Sequence, residues 1–418
     1  MHNKDLLRVK PLPLTPAVRT LIAFFFFRDH PSTTQNATKS FLRFWTFACV
    51  KACVKSIMKG LGARPEGGLS GVFKNRRGQK LNTFTYTRCA PQAILFLHHG
   101  LAEHCGRYDK VCRFLEEHGI AVYAYDAHGH GKSEPLAPDS RALVNSYTHL
   151  VDDLCDFMDF SLKGQPAQQS AAQQQPSSAQ QAGPQPVRPR LPVFLLGHSM
   201  GGLVAALTCL RRQDQVSGLM LHSPALDVEW TPVLRAQAAV GSLLSLLIPR
   251  ARVVPAVRPE DLSSDPALVA EYMADPLNTV GPVRARTANE MLRGFGEMRR
   301  HARELRLPVY VCHGTRDAIT SASASRRFVE GPGGVSSVDR VFRPVAGGYH
   351  ELLHGPEWED CARALLEWMA AHGARLQLQP QPGTGEGGEG EGGALRPEGS
   401  GAACGAGGRA GPQLASRL

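Results

Sequence analysis

The sequence predicts an α/β fold: a mainly parallel sheet of about eight strands with helices on both faces. Two observations lead there. Short, continuously apolar runs such as "AILFL" (93–97) and "VFLL" (193–196) alternate with longer amphipathic runs such as "KVCRFLEEHG" (110–119). Strands apolar at every position are buried on both faces, so helices must cover the sheet above and below.

The elements follow in chain order. "GVFKNRRGQKLNTFTYTR" (71–88) reads as an antiparallel hairpin at the front edge. "AILFLHHG" is a strand ending in a turn, and the helix "KVCRFLEEHG" stops at Gly119. "IAVYAYDAHGHG" is a strand and loop, and "SYTHLVDDLCDFMDFSL" a helix. "PVFLLGHS" and "MGGLVAALTCLRR" form a strand and helix, followed by the strand "VSGLMLHSPAL". "LPVYVCHGTRD" and "DRVFRPVAGGYH" are the last strands, and "CARALLEWMAAHG" a closing helix. Residues 227–305 break this rhythm. There "TPVLRAQAAVGSLLSLLIPRARV" reads as one long apolar helix, and an insertion between two strands sits above the sheet's carboxyl ends as a cap.

Composition bounds the rest. The chain has 418 residues, 43% hydrophobic, enough for one large core or two modest ones. The formal net charge of +10 is uneven: residues 1–64 carry eleven Lys and Arg against Asp5 and Asp29. A basic excess gathered at one end does not describe a nucleic-acid binder, and no nucleic-acid partner is expected. Residues 1–65 form a basic N-terminal extension. Within it Arg43, Lys51, Lys55 and Lys59 recur at multiples of four among Leu42, Trp45, Val50, Val54 and Ile57. That pattern suits a helix lying in a membrane interface, a helix docked on the body, or an organelle-targeting peptide. Residues 66–373 form the globular domain. It is interrupted at 164–192 by a Gln-, Ala- and Pro-rich insert with too few apolar residues to order itself, and followed by a Gly/Glu-rich tail, 374–418, of the same kind. The ten cysteines include no CxxC pair; they read as buried thiols of an intracellular, reducing compartment, cytoplasmic or peripheral to a membrane, with organelle import open. No apolar run approaches the roughly 20 residues of a membrane-spanning helix.

In "VFLLGHSMGGLVAAL" a strand folds abruptly into a helix at Gly197-His198-Ser199-Met200-Gly201. Side chains two residues either side of the serine would clash in so sharp a corner. The corner leaves the serine hydroxyl exposed at a helix N-terminus, whose positive end favours an oxyanion. Ser199 is therefore the candidate nucleophile, in the manner of the α/β-hydrolase fold. A serine needs a base, and the base an orienting carboxylate, in the chain order Ser, Asp or Glu, His. Asp317 follows a strong strand; Asp227 follows the preceding strand but leads into the cap. Among His222, His313, His350 and His354, the first precedes the acid and the second shares its strand end. His350 falls in the glycine-bearing loop after the last strand, with His354 its rival. The backbone N–H groups of Met200 and Leu101 are the expected oxyanion donors. "GHGKS" (129–133) imitates a phosphate-binding loop, but Asp126 stands where that loop needs a glycine.

Together "LHHGLAEHCGRY", "YDAHGHGKSE", "GHSMGG", "HGTRDAIT" and "GGYHELLH" resemble the monoacylglycerol lipases and related lysophospholipase-like α/β-hydrolases, from about residue 71 to 372 apart from the insert. The resemblance implies a Ser199–Asp317–His350 triad and a lipophilic acyl channel beneath the cap. It also implies that Glu103 and Arg107 shape the end where a glycerol headgroup would sit; the plainer alternative is a salt bridge supporting the oxyanion loop. The expected function is a serine esterase hydrolysing monoacylglycerol, with no metal or organic cofactor and with a lipid as partner, met at a peripheral membrane or lipid-droplet surface. A lysophospholipase or acyltransferase shares the same acyl-enzyme chemistry. A non-catalytic binding protein of this fold would ordinarily lack a triad member.

Overall fold

The computed structural model describes residues 68–374, except 89, 164–190 and 255–256. The basic segment 1–65, all but the last two residues of the insert 164–192, and all but the first residue of the tail 374–418 lie outside the described residues.

The chain opens with β1 (Leu69–Lys74) and β2 (Lys80–Tyr86), then β3 (Ala93–His98), α1 (Asp109–Glu117), β4 (Ile120–Tyr125) and α2 (Tyr147–Lys163). β5 (Val193–His198), α3 (Met200–Arg212) and β6 (Gly218–His222) follow. An inserted segment holds α4 (Pro232–Leu247), β7 (Arg252–Val254), α5 (Pro266–Ala274), β8 (Val283–Arg284) and α6 (Ala285–His301). The chain closes with β9 (Val309–Gly314), α7 (Ala322–Glu330), β10 (Arg340–Val345) and α8 (Trp358–Ala371).

The main sheet has eight strands in the order β1-β2-β4-β3-β5-β6-β9-β10. β2 runs antiparallel to both β1 and β4, and every other pairing is parallel. From β3 the chain moves outward to β4, then returns to the other side of β3 with β5. The carboxyl ends of β3 and β5 therefore flank the point where the winding reverses, the place where open α/β sheets form a crevice.

Burial on both faces shows in single strands. Val193 and Leu195 of β5 join one core, with α2, α3 and α6, while Phe194 and Leu196 join the other, with α1 and α8. Successive side chains of a strand point to opposite faces, so one apolar strand feeds two cores.

The apolar helix expected over residues 231–253 forms but stops short. α4 is capped by Thr231, whose hydroxyl accepts from the Leu234 N–H at 3.1 Å, and ends at Leu247. Pro249 stops it: proline has no amide hydrogen and disfavours helical geometry in the residue before it. The chain then forms β7, which pairs with β8 in a separate two-stranded antiparallel sheet. Among the described residues no helix is long and apolar enough to cross a membrane.

Candidate active site

Ser199 stands between β5 and α3 with φ 52° and ψ −121°, a backbone conformation that is costly for a residue with a side chain. Its neighbours make the corner feasible. A Cβ on Gly197 would collide with the backbone of Gly201, and a Cβ on Gly201 with the carbonyl oxygens of His98 and His99. The turn is pinned by the Ser199 N–H donating to the His222 carbonyl (3.2 Å) and by the Ala225 N–H donating to the Ser199 carbonyl (2.9 Å). Met200 is the first residue of α3, and the opening N–H groups of a helix have no acceptor within it.

Asp317 lies in the loop after β9 and His350 in the loop after β10. His350 Nδ1 is 2.8 Å from Asp317 Oδ2. The other carboxylate oxygen, Oδ1, accepts from the Ile319 and Thr320 N–H groups at 2.8 and 2.9 Å. Burial alone would raise the pKa of Asp317. The charge of His350 and the hydrogen bonds of His313 and His350 outweigh it and hold the carboxyl well below its ordinary value.

Ser199 and His350 line one cavity of about 570 Å³, together with Leu101, Met200, Glu103 and Glu351. Apolar side chains from the inserted segment complete it, among them Leu234, Leu244, Val254 and Phe295. Among the other candidates, His313 lies against Asp317, its Nε2 3.1 Å from Oδ2, while Asp227, His222 and His354 are not in the cavity lining. Asp227 accepts from Arg299 at 2.9 Å and from the Trp230 indole N–H at 3.0 Å. His222 is wholly buried at the end of β6, and the His354 ring packs against Tyr108 with centroids 4.5 Å apart.

Glu103, His198 and Glu351 form the polar end of the cavity lining, and Glu103 is paired with Arg107. Glu103 Oε1 accepts from the Gly100 N–H (2.6 Å) and the Tyr108 hydroxyl (2.7 Å), and His198 Nδ1 lies 3.2 Å away. Arg107 donates to Glu103 Oε2 (2.6 Å) and forks onto both oxygens of Glu351, 2.7 Å each. The guanidinium thus ties the loop after β3, which carries Leu101, to the residue beside His350. Burial opposes the charged form of Glu103, but the His198 hydrogen bond and the Arg107 charge hold its pKa well down. His198 is the reciprocal case: burial opposes its charge, and the hydrogen bond and charge of Glu103 prevail to raise its pKa. Glu351 and His198 escaped the sequence reading, although each adjoins a residue it singled out.

The family described as "Serine aminopeptidase, S33" matches residues 89–172 and 179–357, more than half of the chain. The protein belongs to this hydrolase family. A monoacylglycerol lipase of Mycolicibacterium smegmatis is 30% identical to this family member over 285 residues, 68% of the chain and 89% of the relative. The human monoglyceride lipase is 27% identical over 262 residues, 63% of the chain and 76% of the relative. Among solved structures, a monoacylglycerol lipase of Paleococcus ferrophilus aligns with 70% of this hydrolase and 99% of its own chain, at 28% identity and a TM-score of 0.56. A soluble variant of the Saccharomyces cerevisiae monoglyceride lipase aligns with 73% of this chain and 96% of its own at a TM-score of 0.60; at 18% identity it shows the shared α/β-hydrolase fold.

Proposed function

We propose that this carboxylic ester hydrolase cleaves monoacylglycerol to fatty acid and glycerol through an acyl-Ser199 intermediate. One observation carries the reading: Ser199, on its strained corner, and His350, bonded to Asp317, face one end of a largely apolar cavity. The similarity to monoacylglycerol lipases supports the same substrate.

In the mechanism, His350 takes the Ser199 proton as the hydroxyl attacks the ester carbonyl. Asp317 accepts from Nδ1, which leaves Nε2 as the basic nitrogen and stabilises the imidazolium once formed. The Met200 and Leu101 N–H groups receive the oxyanion. His350 returns the proton to the departing glycerol oxygen. A water then repeats the sequence on the acyl-enzyme, releasing the acid and regenerating the serine. The acyl chain occupies the apolar cavity, and residues 227–305 act as its cap.

The polar end favours a neutral headgroup. It presents two buried carboxylates, Glu103 and Glu351, and the Arg107 guanidinium beside them is already engaged by both. A phosphate brought there would meet cations already engaged, Arg107 by both carboxylates and His198 by Glu103. Oleoylglycerol is accordingly the expected substrate, and oleoyl-lysophosphatidylcholine should be cleaved at least about tenfold less efficiently, the effect of roughly 1.4 kcal/mol. Equal kcat/KM for the two would refute the headgroup assignment.

Substrate of this kind resides in a lipid surface, and α4 is built to meet one. Arg235 is its single charged residue, and beyond the cavity it exposes Leu243, Leu246 and Leu247 by 56, 72 and 66%. Contiguous exposed apolar surface marks a site of contact with protein or membrane. Replacing Leu246 and Leu247 with aspartate should halve, or more, the protein recovered with floated phosphatidylcholine vesicles, while hydrolysis of soluble 4-nitrophenyl butyrate persists. Unchanged flotation would remove α4 as the contact.

A further inference from the structure

The chemistry above uses one face of Asp317, and the structure shows a second occupied face. His313 closes β9 and is wholly buried. Its Nε2 lies 3.1 Å from Asp317 Oδ2, the same oxygen that meets His350. Its Nδ1 lies 2.9 Å from the hydroxyl of Ser325 on α7. The Thr320 hydroxyl, with one proton to give, lies 2.9 Å from that Oδ2 and 3.0 Å from the Ser223 carbonyl, and either oxygen can accept it. We propose that His313 is a positioning residue for the hydrolysis, a second imidazole that holds Asp317 Oδ2 and thereby fixes the aim and the basicity of His350. The proposal rests on the assignment of Asp317 and His350 given above.

The tautomer follows from the surroundings. A neutral His313 with its hydrogen on Nδ1 would turn the Nε2 lone pair toward a carboxylate oxygen, which is repulsive. The hydrogen therefore sits on Nε2 and donates to Asp317, and the Ser325 hydroxyl donates to Nδ1. Asp317 then receives two backbone N–H groups on Oδ1 and two ring N–H groups on Oδ2. A carboxylate with its lone pairs so fully occupied neither swings away from His350 nor takes its proton. Sharing Oδ2 with a second donor also reduces the negative charge that His350 meets. The other titratable groups facing this cluster are His198, whose ring centroid is 4.8 Å from that of His350, and His222 on β6, pushed by burial to a pKa of about 3 and hence neutral.

The test is the pH profile of 4-nitrophenyl butyrate hydrolysis by wild type, His313→Leu and His313→Gln, with the melting temperature of each. Leucine removes the donor; glutamine restores an N–H at the Nε2 position. The leucine variant should lose about tenfold in kcat at nearly constant KM, as a modest misalignment of the base does. The acidic limb of its kcat/KM profile should move up by about half a pH unit, because the less satisfied carboxylate holds the His350 proton more firmly. Glutamine should recover most of both. A leucine variant with wild-type kcat and an unmoved acidic limb overturns the proposal, as does a loss that appears only in KM. If the leucine variant fails to fold, Ser325→Ala, which releases the tautomer, carries the test: the same upward movement supports the role and an unmoved limb refutes it. Failure of the underlying mechanism is distinguishable, since Ser199→Ala would then remain active.

Discussion

Ser199→Ala is expected to leave a folded protein that releases fatty acid from oleoylglycerol at least about 10⁴-fold more slowly than wild type. The loss is large because His350 and Asp317 have nothing to act on without the hydroxyl; members of such a set are not additive. Folding should survive, because alanine removes one oxygen that points into the cavity. The strained backbone is pinned by main-chain bonds from Ser199 and Ala225 rather than by the hydroxyl. A fluorophosphonate should label the wild type and leave the alanine variant unlabelled. Substantial release by Ser199→Ala would transfer the nucleophile elsewhere and with it the whole mechanism.

Arg107→Ala is expected to cost about 3–5 kcal/mol of folding stability, read by urea unfolding at pH 7. The side chain is 10% exposed, and its partners Glu103 and Glu351 are 3% and 2% exposed, so deletion leaves two carboxylates in a site with little water to solvate them. Glu351→Gln should cost less, because Arg107 keeps Glu103. The pH dependence has a definite sign. In the wild type both carboxylates titrate below their ordinary value of 4.5, so their stabilisation is complete above that value and is lost as pH falls through the lower folded values. Without the guanidinium, burial is less opposed and the folded values rise, so acidification neutralises the stranded charge. The stability gap between wild type and Arg107→Ala should narrow from pH 7 to pH 5. A constant gap would mean that the arginine acts by packing rather than by charge. Activity should fall with stability, because the same guanidinium joins the Leu101 loop to the loop of His350.

Much of this was legible in the chain. The strand–helix alternation is strong because β3, β4, β5, β6 and β9 are buried at every position. The corner at Ser199 was legible because its glycines obey a steric requirement that sequence expresses directly. The inserted segment beyond α4 was not. α6 turns Thr287 and Glu290 toward the core, where they accept from the Val144 and Tyr147 N–H groups at 2.9 and 3.2 Å, so its apolar stripe is interrupted by satisfied polar groups. β7 and β8 are too short to carry an alternation. His313 stands too near Asp317 in the chain to read as the base, and that same closeness brings its ring to the carboxylate. Glu351 gave no signal, because its partner Arg107 lies 244 residues earlier and meets it only through the fold.

β5 also sets a separation that matters for handling the protein. The long insert enters at Val193, whereas Ser199 stands at the strand's other end, about 20 Å away along an extended backbone. Chain added or exchanged between α2 and β5 therefore joins the sheet at the strand end remote from Ser199 and the cavity it lines. This makes the junction a natural anchoring port: a fluorophore, affinity handle or surface tether placed there leaves the enzyme presenting its working face outward.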